Sequence, residues 1–161
     1  MYSETTRSIR VSVEPFYVAD QSEPENARWV FGYRVRIENE GGETVQLLTR
    51  HWKITDGRGR LVEVRGEGVV GEQPLLEPGE AFQYTSGTPL PTPTGIMAGS
   101  YQMVNDRGEH FDVTIPPFSL DAPGVRRAVS VTPPSVTVSP SFRTRSAFTG
   151  AKCANGTLAK R

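Results

Sequence analysis

Three features of the chain have residue types and spacing able to support chemistry: the pattern Gly66-x-Gly68-x-x-Gly71, the histidines His51 and His110, and Ser86 in Thr85-Ser86-Gly87. In a dinucleotide site such glycines let backbone N–H groups approach a pyrophosphate, and the N-terminus of a following helix adds its dipole. No helix is able to follow here, because Gln73-Pro74 and Glu77-Pro78-Gly79 occupy its place and Val69-Val70 open helices poorly. The pattern therefore predicts an irregular loop whose glycines take positive φ between two strands. Its alternative is a backbone nest for phosphate or pyrophosphate, formed by Gly66, Gly68 and Gly71 with Arg65 beside it.

Metal and nucleophile chemistry find less. A tetrahedral zinc site draws on several His and Cys at local spacing, and two histidines with the single Cys153 supply no such cluster. His51, next to Trp52, reads as a strand residue at the sheet surface. A hard cation needs only oxygen ligands, so a magnesium-type site stays open without a named ligand, and no metal ligand or cofactor is assigned. No Gly-x-Ser-x-Gly surrounds Ser86, which reads as a strand-end residue rather than a nucleophile. The stretch Thr88 to Gly95 carries proline at every second position and predicts a stiff polyproline-like loop over the fold. Its functional reading is a partner surface presented by Pro89, Leu90, Pro91 and Pro93, with Leu90 exposed.

The elements that must hold these residues follow from length and patterning. A chain of 161 residues accommodates one ordinary domain, and one cysteine excludes a disulfide scaffold. Apolar runs are too short to cross a bilayer, and Glu4, Arg7, Arg10, Glu14 and Asp20 interrupt the apolar core a secretory signal requires. The protein is expected to be cytoplasmic. Its zero net charge divides unevenly: residues 1–122 hold eleven Arg/Lys against eighteen Asp/Glu, a balance of −7, while residues 123–161 hold seven basic residues and no acid. With four prolines and ten Ser/Thr, that tail has too few large apolar residues to offset the entropy of ordering it. The expected division is a folded domain over 1–127 and a disordered basic tail over 128–161, in which Val129 to Val138 alternate but are broken by Pro133-Pro134 and Pro140. The acidic body repels phosphate, so nucleic acid is expected to meet at most the tail, weakly and without sequence preference.

Period-two alternation runs through the body. Ile9, Val11 and Val13, then Trp29, Phe31, Tyr33, Val35 and Ile37, alternate with mostly polar neighbours. Further strands follow over Val45 to Thr55 and Arg60 to Arg65, around Phe82 and Tyr84, around Tyr101 and Met103, and around Phe111, Val113 and Ile115. About seven strands with no amphipathic helix between them predict an antiparallel β-sandwich of immunoglobulin-like, fibronectin type III-like form, since no inter-sheet disulfide is available. A tight hairpin at Gly41-Gly42 would set Phe31 opposite Trp52 and place Arg50 on the core side, where its charge needs an acceptor. Either the strand bulges near Thr49 to Arg50 or it crosses to the second sheet there, and the crossing is the preferred expectation.

Several long strings carry a family resemblance. Gln46-Leu47-Leu48-Thr49-Arg50-His51-Trp52, Val64 to Pro74 with its glycines, and Tyr84-Thr85-Ser86-Gly87-Thr88-Pro89-Leu90-Pro91-Thr92-Pro93 resemble the bacterial ApaG family, as do Gly99-Ser100-Tyr101-Gln102-Met103 and Ile115-Pro116-Pro117-Phe118. The resemblance covers about residues 3–127 and stops before the tail. It implies a fibronectin-like sandwich in a cytosolic bacterial protein without established catalytic activity. Related eukaryotic domains look like protein-interaction modules, and bacterial members are linked to cobalt resistance and magnesium efflux. The function so implied is a non-enzymatic module binding protein partners; the alternative is a protein responsive to phosphate, pyrophosphate or a divalent cation.

Overall fold

Alternating apolar residues build two sheets that share one core. The structure, a computed structural model, describes residues 1–124 and 144–153. The first sheet contains β1 (Tyr2–Thr6), β2 (Ile9–Tyr17), β3 (Trp29–Asn39), β7 (Ala81–Leu90) and β10 (Thr144–Cys153), side by side in the order β1-β2-β3-β7-β10. The second is ordered β5-β4-β8-β9, from β4 (Val45–Asp56), β5 (Leu61–Glu67), β8 (Thr94–Asn105) and β9 (His110–Asp121), with the two-residue β6 (Leu75–Leu76) also on β4. Neighbours pair antiparallel except β10, which runs parallel to β7. Val11, Val13, Tyr33, Val35, Ile37, Phe82 and Tyr84 face Trp52, Ile54, Met97, Tyr101, Met103, Val113, Ile115 and Phe118, all buried. Tyr33, Trp52 and Phe118 form an aromatic knot between the sheets, with ring centroids 5.2–6.0 Å apart.

All seven alternating segments are strands, so the sandwich expected from sequence stands. The remaining three strands lacked a signal. β1 joins β2 through Arg7 and Ser8, at φ 47° and 64°, so a turn of the type usually marked by Asn-Gly is made here by residues that do not advertise it. Turn chemistry at Gly41-Gly42 misleads in the other direction. β3 and β4 do not pair; the connection between them carries the chain from one sheet to the other. The crossing expected near Arg50 therefore occurs earlier, and the alternative, a bulge, is what β4 contains: Leu47 lies opposite Met103 and Thr49 opposite Gln102, leaving Leu48 extra. That one residue switches parity, so Val45 and Leu47 point inward before it and Trp52 and Ile54 after it.

The polyproline loop expected over Thr88 to Gly95 is mostly strand. β7 continues to Leu90, opposite Trp29, and β8 starts at Thr94. Proline fits because of the direction of the main chain. Val30, opposite Pro89, accepts from Val18 N–H at 2.9 Å and donates to Ser22 Oγ at 2.8 Å, both on the side away from β7. Val30 and Pro89 thus form a non-hydrogen-bonded pair, and the N–H that Pro89 lacks would point to the outer side of β7. By the same alternation Gly87, Thr85 and Gln83 direct their main-chain groups outward, where β10 pairs.

The tail also differs from expectation. Its residues Thr144–Cys153 form β10, with Thr144 to Phe148 opposite Ala81 to Thr85 and Cys153 opposite Gly87. An open strand edge offers ladder partners to a segment whose own apolar content is too low to fold, a tertiary term absent from local composition. The alternating valines from Val129 to Val138 lie outside the described residues.

Candidate functional site

The outer face of the second sheet carries the chemistry-bearing side chains. Because β4 changes parity at Leu48, Thr49, His51, Lys53 and Thr55 point outward, flanked by Arg65 and Glu63 of β5 and by Ser100 and Gln102 of β8. Thr49, Arg50, His51, Arg65, Gly66, Glu67, Ser100, Gln102 and Asp112 line an open groove of about 630 Å³. Thr49 donates to Gln102 Oε1 at 2.8 Å, Gln102 donates to Ser100 Oγ at 2.9 Å, and His51 Nε2 lies 3.0 Å from Glu63 Oε1. Among the described residues no hydroxyl or thiol is hydrogen-bonded to His51, and no three His, Cys, Asp or Glu side chains group as metal ligands.

Arg50 lies opposite Gly66 in the register, with its side chain on the same parity of β4 as Trp52 and Ile54, and Gly66 makes room for it. A Cβ on Gly66 would come within 2.8–2.9 Å of the Arg50 guanidinium. Arg50 Nη1 donates to the carbonyls of Glu67 and Gly68, each at 2.9 Å. Backbone carbonyls are the acceptors that a core-side guanidinium demands.

The three glycines of the pattern therefore do separate jobs. Gly66 sits inside β5 without positive φ; Gly68 and Gly71 take φ 63° and 82°. Val69 and Glu72 exchange both main-chain hydrogen bonds, at 2.8 and 2.9 Å, around a two-residue turn of Val70 (φ 45°) and Gly71. A Cβ on Gly68 would meet the Glu72 carbonyl oxygen at 2.3 Å. Gly68 N–H is bonded to Leu48 O at 2.8 Å, so with Val69 and Glu72 three of the loop's amides are already engaged. Arg65 and Gly66 share the groove, whereas Gly71 is on the exposed turn.

The residues proposed from sequence as a partner surface are divided. Pro91 is exposed and Pro89 and Pro93 are half-buried, but Leu90 is only 4% exposed and belongs to the core. The expectation of an exposed Leu90 is corrected, because β7 extends far enough to turn that side chain between the sheets. What was missed lies on the second sheet: Leu61, 53% exposed, and Ile96, 54% exposed, flank Thr55 on one rung of the outer face. A signal was present, since each stands next to an apolar neighbour, Val62 and Met97, where strict alternation calls for a polar residue.

A two-sheet β-sandwich with a polar groove and an apolar rung on one outer face defines a fibronectin-like module. Comparison with known proteins makes the assignment specific. Residues 19–105 match the ApaG domain family model. The Protein ApaG of Rhodospirillum centenum is 70% identical over 123 residues, 76% of this chain and 95% of that protein. That of Mesorhizobium japonicum is 59% identical over 130 residues, 81% of this chain and all of its own length. The solved structure of the putative ApaA protein from Bordetella pertussis is 54% identical and superposes with a TM-score of 0.70, covering 73% of this chain and 95% of that one. The chain belongs to the ApaG domain family.

Proposed function

We propose that the chain is a non-enzymatic, cytoplasmic protein-binding module whose partner surface is the outer face of β5, β4, β8 and β9. The observation that carries this reading is the exposed rung Leu61-Thr55-Ile96 next to the hydrogen-bonded groove. An apolar strip rimmed by polar groups on a rigid sheet gains affinity from burial and orientation from the rim. The alternative, a protein responsive to phosphate, pyrophosphate or a divalent cation, has less support: Arg50 and the amides of Gly68, Val69 and Glu72, the donors an anion needs, are already hydrogen-bonded within the fold, and among the described residues no three His, Cys, Asp or Glu side chains group as metal ligands.

The test compares proteins captured from native lysate by the wild type, by Leu61→Asp/Ile96→Asp, and by Glu4→Lys on exposed β1. The double variant is expected to unfold within about 1 kcal/mol of wild type, because both side chains are half in solvent, and to lose the captured partners that Glu4→Lys keeps. Equal capture by all three overturns the surface. A saturable rise in melting temperature with pyrophosphate favours the alternative instead.

A further inference from the structure

We propose that the outer edge of β7 is a peptide-docking edge for an extended basic segment, and that residues 144–153 of this chain are its resident occupant. A partner's basic strand enters by displacing them. This surface lies on the first sheet and is independent of the face assigned above.

Three observations converge on it. Main-chain direction comes first: Gln83, Thr85 and Gly87 turn their N–H and C=O groups away from β3, and β10 pairs there in parallel over Thr144 to Phe148. Strand addition of this kind takes affinity from the ladder and specificity from alternate side chains. Specificity is the second observation. On the outer face of this edge strand, Gln83 Oε1 is buried without a hydrogen-bond partner. Its neighbour on β3, Arg36, is already ion-paired with Glu38, so the orphaned acceptor calls for a donor from the strand on its other side. Lysine, arginine and hydroxyl side chains supply donors, whereas a carboxylate would be repelled.

Charge is the third. The body carries −7, and residues 123–161 contribute seven basic side chains, ten Ser/Thr and no acid. The register sets Ser146 beside Gln83. Tethered to the body, the strand is present at millimolar effective concentration, so a free peptide of the same sequence competes poorly until the resident strand is weakened.

The experiment uses the full chain. Arg145→Pro/Ala147→Pro removes ladder donors from β10 while leaving β7 unchanged, because in a parallel pair the main-chain groups of Gln83 meet those of the two residues flanking Ser146. A fluorescent peptide with the sequence of residues 144–153, carrying Ser for Cys153, is titrated into wild type and variant. The expected result is saturable binding to the proline variant, at least tenfold tighter than to wild type, and loss of binding when Ser146 of the peptide, in register with Gln83, becomes Glu. Equal binding to both proteins, no binding to the variant, or indifference to the Ser146→Glu change each overturns the proposal. Amide hydrogen exchange on the wild-type chain is a second measurement that needs no variant. Gln83, Thr85 and Gly87 are expected to exchange at least a hundredfold more slowly than exposed loop amides, and fast exchange at all three shows an edge that holds no strand.

Discussion

At the scale of single residues, the Tyr84 and Tyr101 hydroxyls dominate the centre of the molecule. They hydrogen-bond to one another across the two sheets, fully buried. Burial pushes both phenols well above the ordinary tyrosine value of 10.0, and the nearby Arg50 charge opposes that only in part. Raised folded-state values mean that the unfolded chain ionises first as pH rises. The stabilisation is therefore complete below about pH 10 and is lost above it, at up to ~1.4 kcal/mol per pH unit for each tyrosine. Unfolding free energies measured from pH 8 to 11 should be level up to pH 10 and fall steeply beyond, and the fall should be much shallower in Tyr84→Phe/Tyr101→Phe. At pH 7 each single variant leaves a buried hydroxyl unpaired and should cost about 1–3 kcal/mol, with the double variant costing less than the two singles together. Additive costs would show that the hydroxyls are not coupled.

At the scale of elements, Leu90 shows how a local pattern gives way to register. Prolines at 89, 91 and 93 read as a loop because proline lacks a ladder donor, and that reasoning is sound for any strand bonded on both sides. β7 escapes it at Pro89, since every second residue of β7 bonds to β3 and Pro89 is one of the others. Leu90 is then carried into the core. Leu90→Asp buries an unpaired charge and removes apolar contact, so it should destabilise by about 3–5 kcal/mol in denaturant unfolding. A loss below about 1 kcal/mol would place the side chain at the surface. The β4 bulge follows the same logic: one extra residue at Leu48 decides which face receives Arg50 and Trp52, and nothing local in Leu47-Leu48-Thr49 marks which residue is extra.

At the scale of the whole molecule, the described core between the two sheets is built from residues 9–122, and β10 pairs at the outer edge of β7. The chain cut after Arg127 should therefore fold cooperatively, melting within about 5 °C of the full protein by scanning calorimetry, as about 1 kcal/mol implies for a domain of this size. A larger fall would make the tail part of the folding unit.

The sequence alone determined the sandwich, because period-two alternation reports directly which side chains must leave water, and it determined the family, because long strings such as Leu47 to Trp52 carry identity independently of pairing. It also foresaw positive φ at Gly68 and Gly71, and the demand of Arg50 for an acceptor. Tertiary structure decided where the chain changes sheets, which carbonyls receive Arg50, that Gly66 is a strand residue under a guanidinium, that Leu90 is core, and that Thr144–Cys153 lies on β7. The physical reason is common to all five. Each depends on a partner distant in sequence, and a local pattern records only what a segment must bury, not the strand against which it does so.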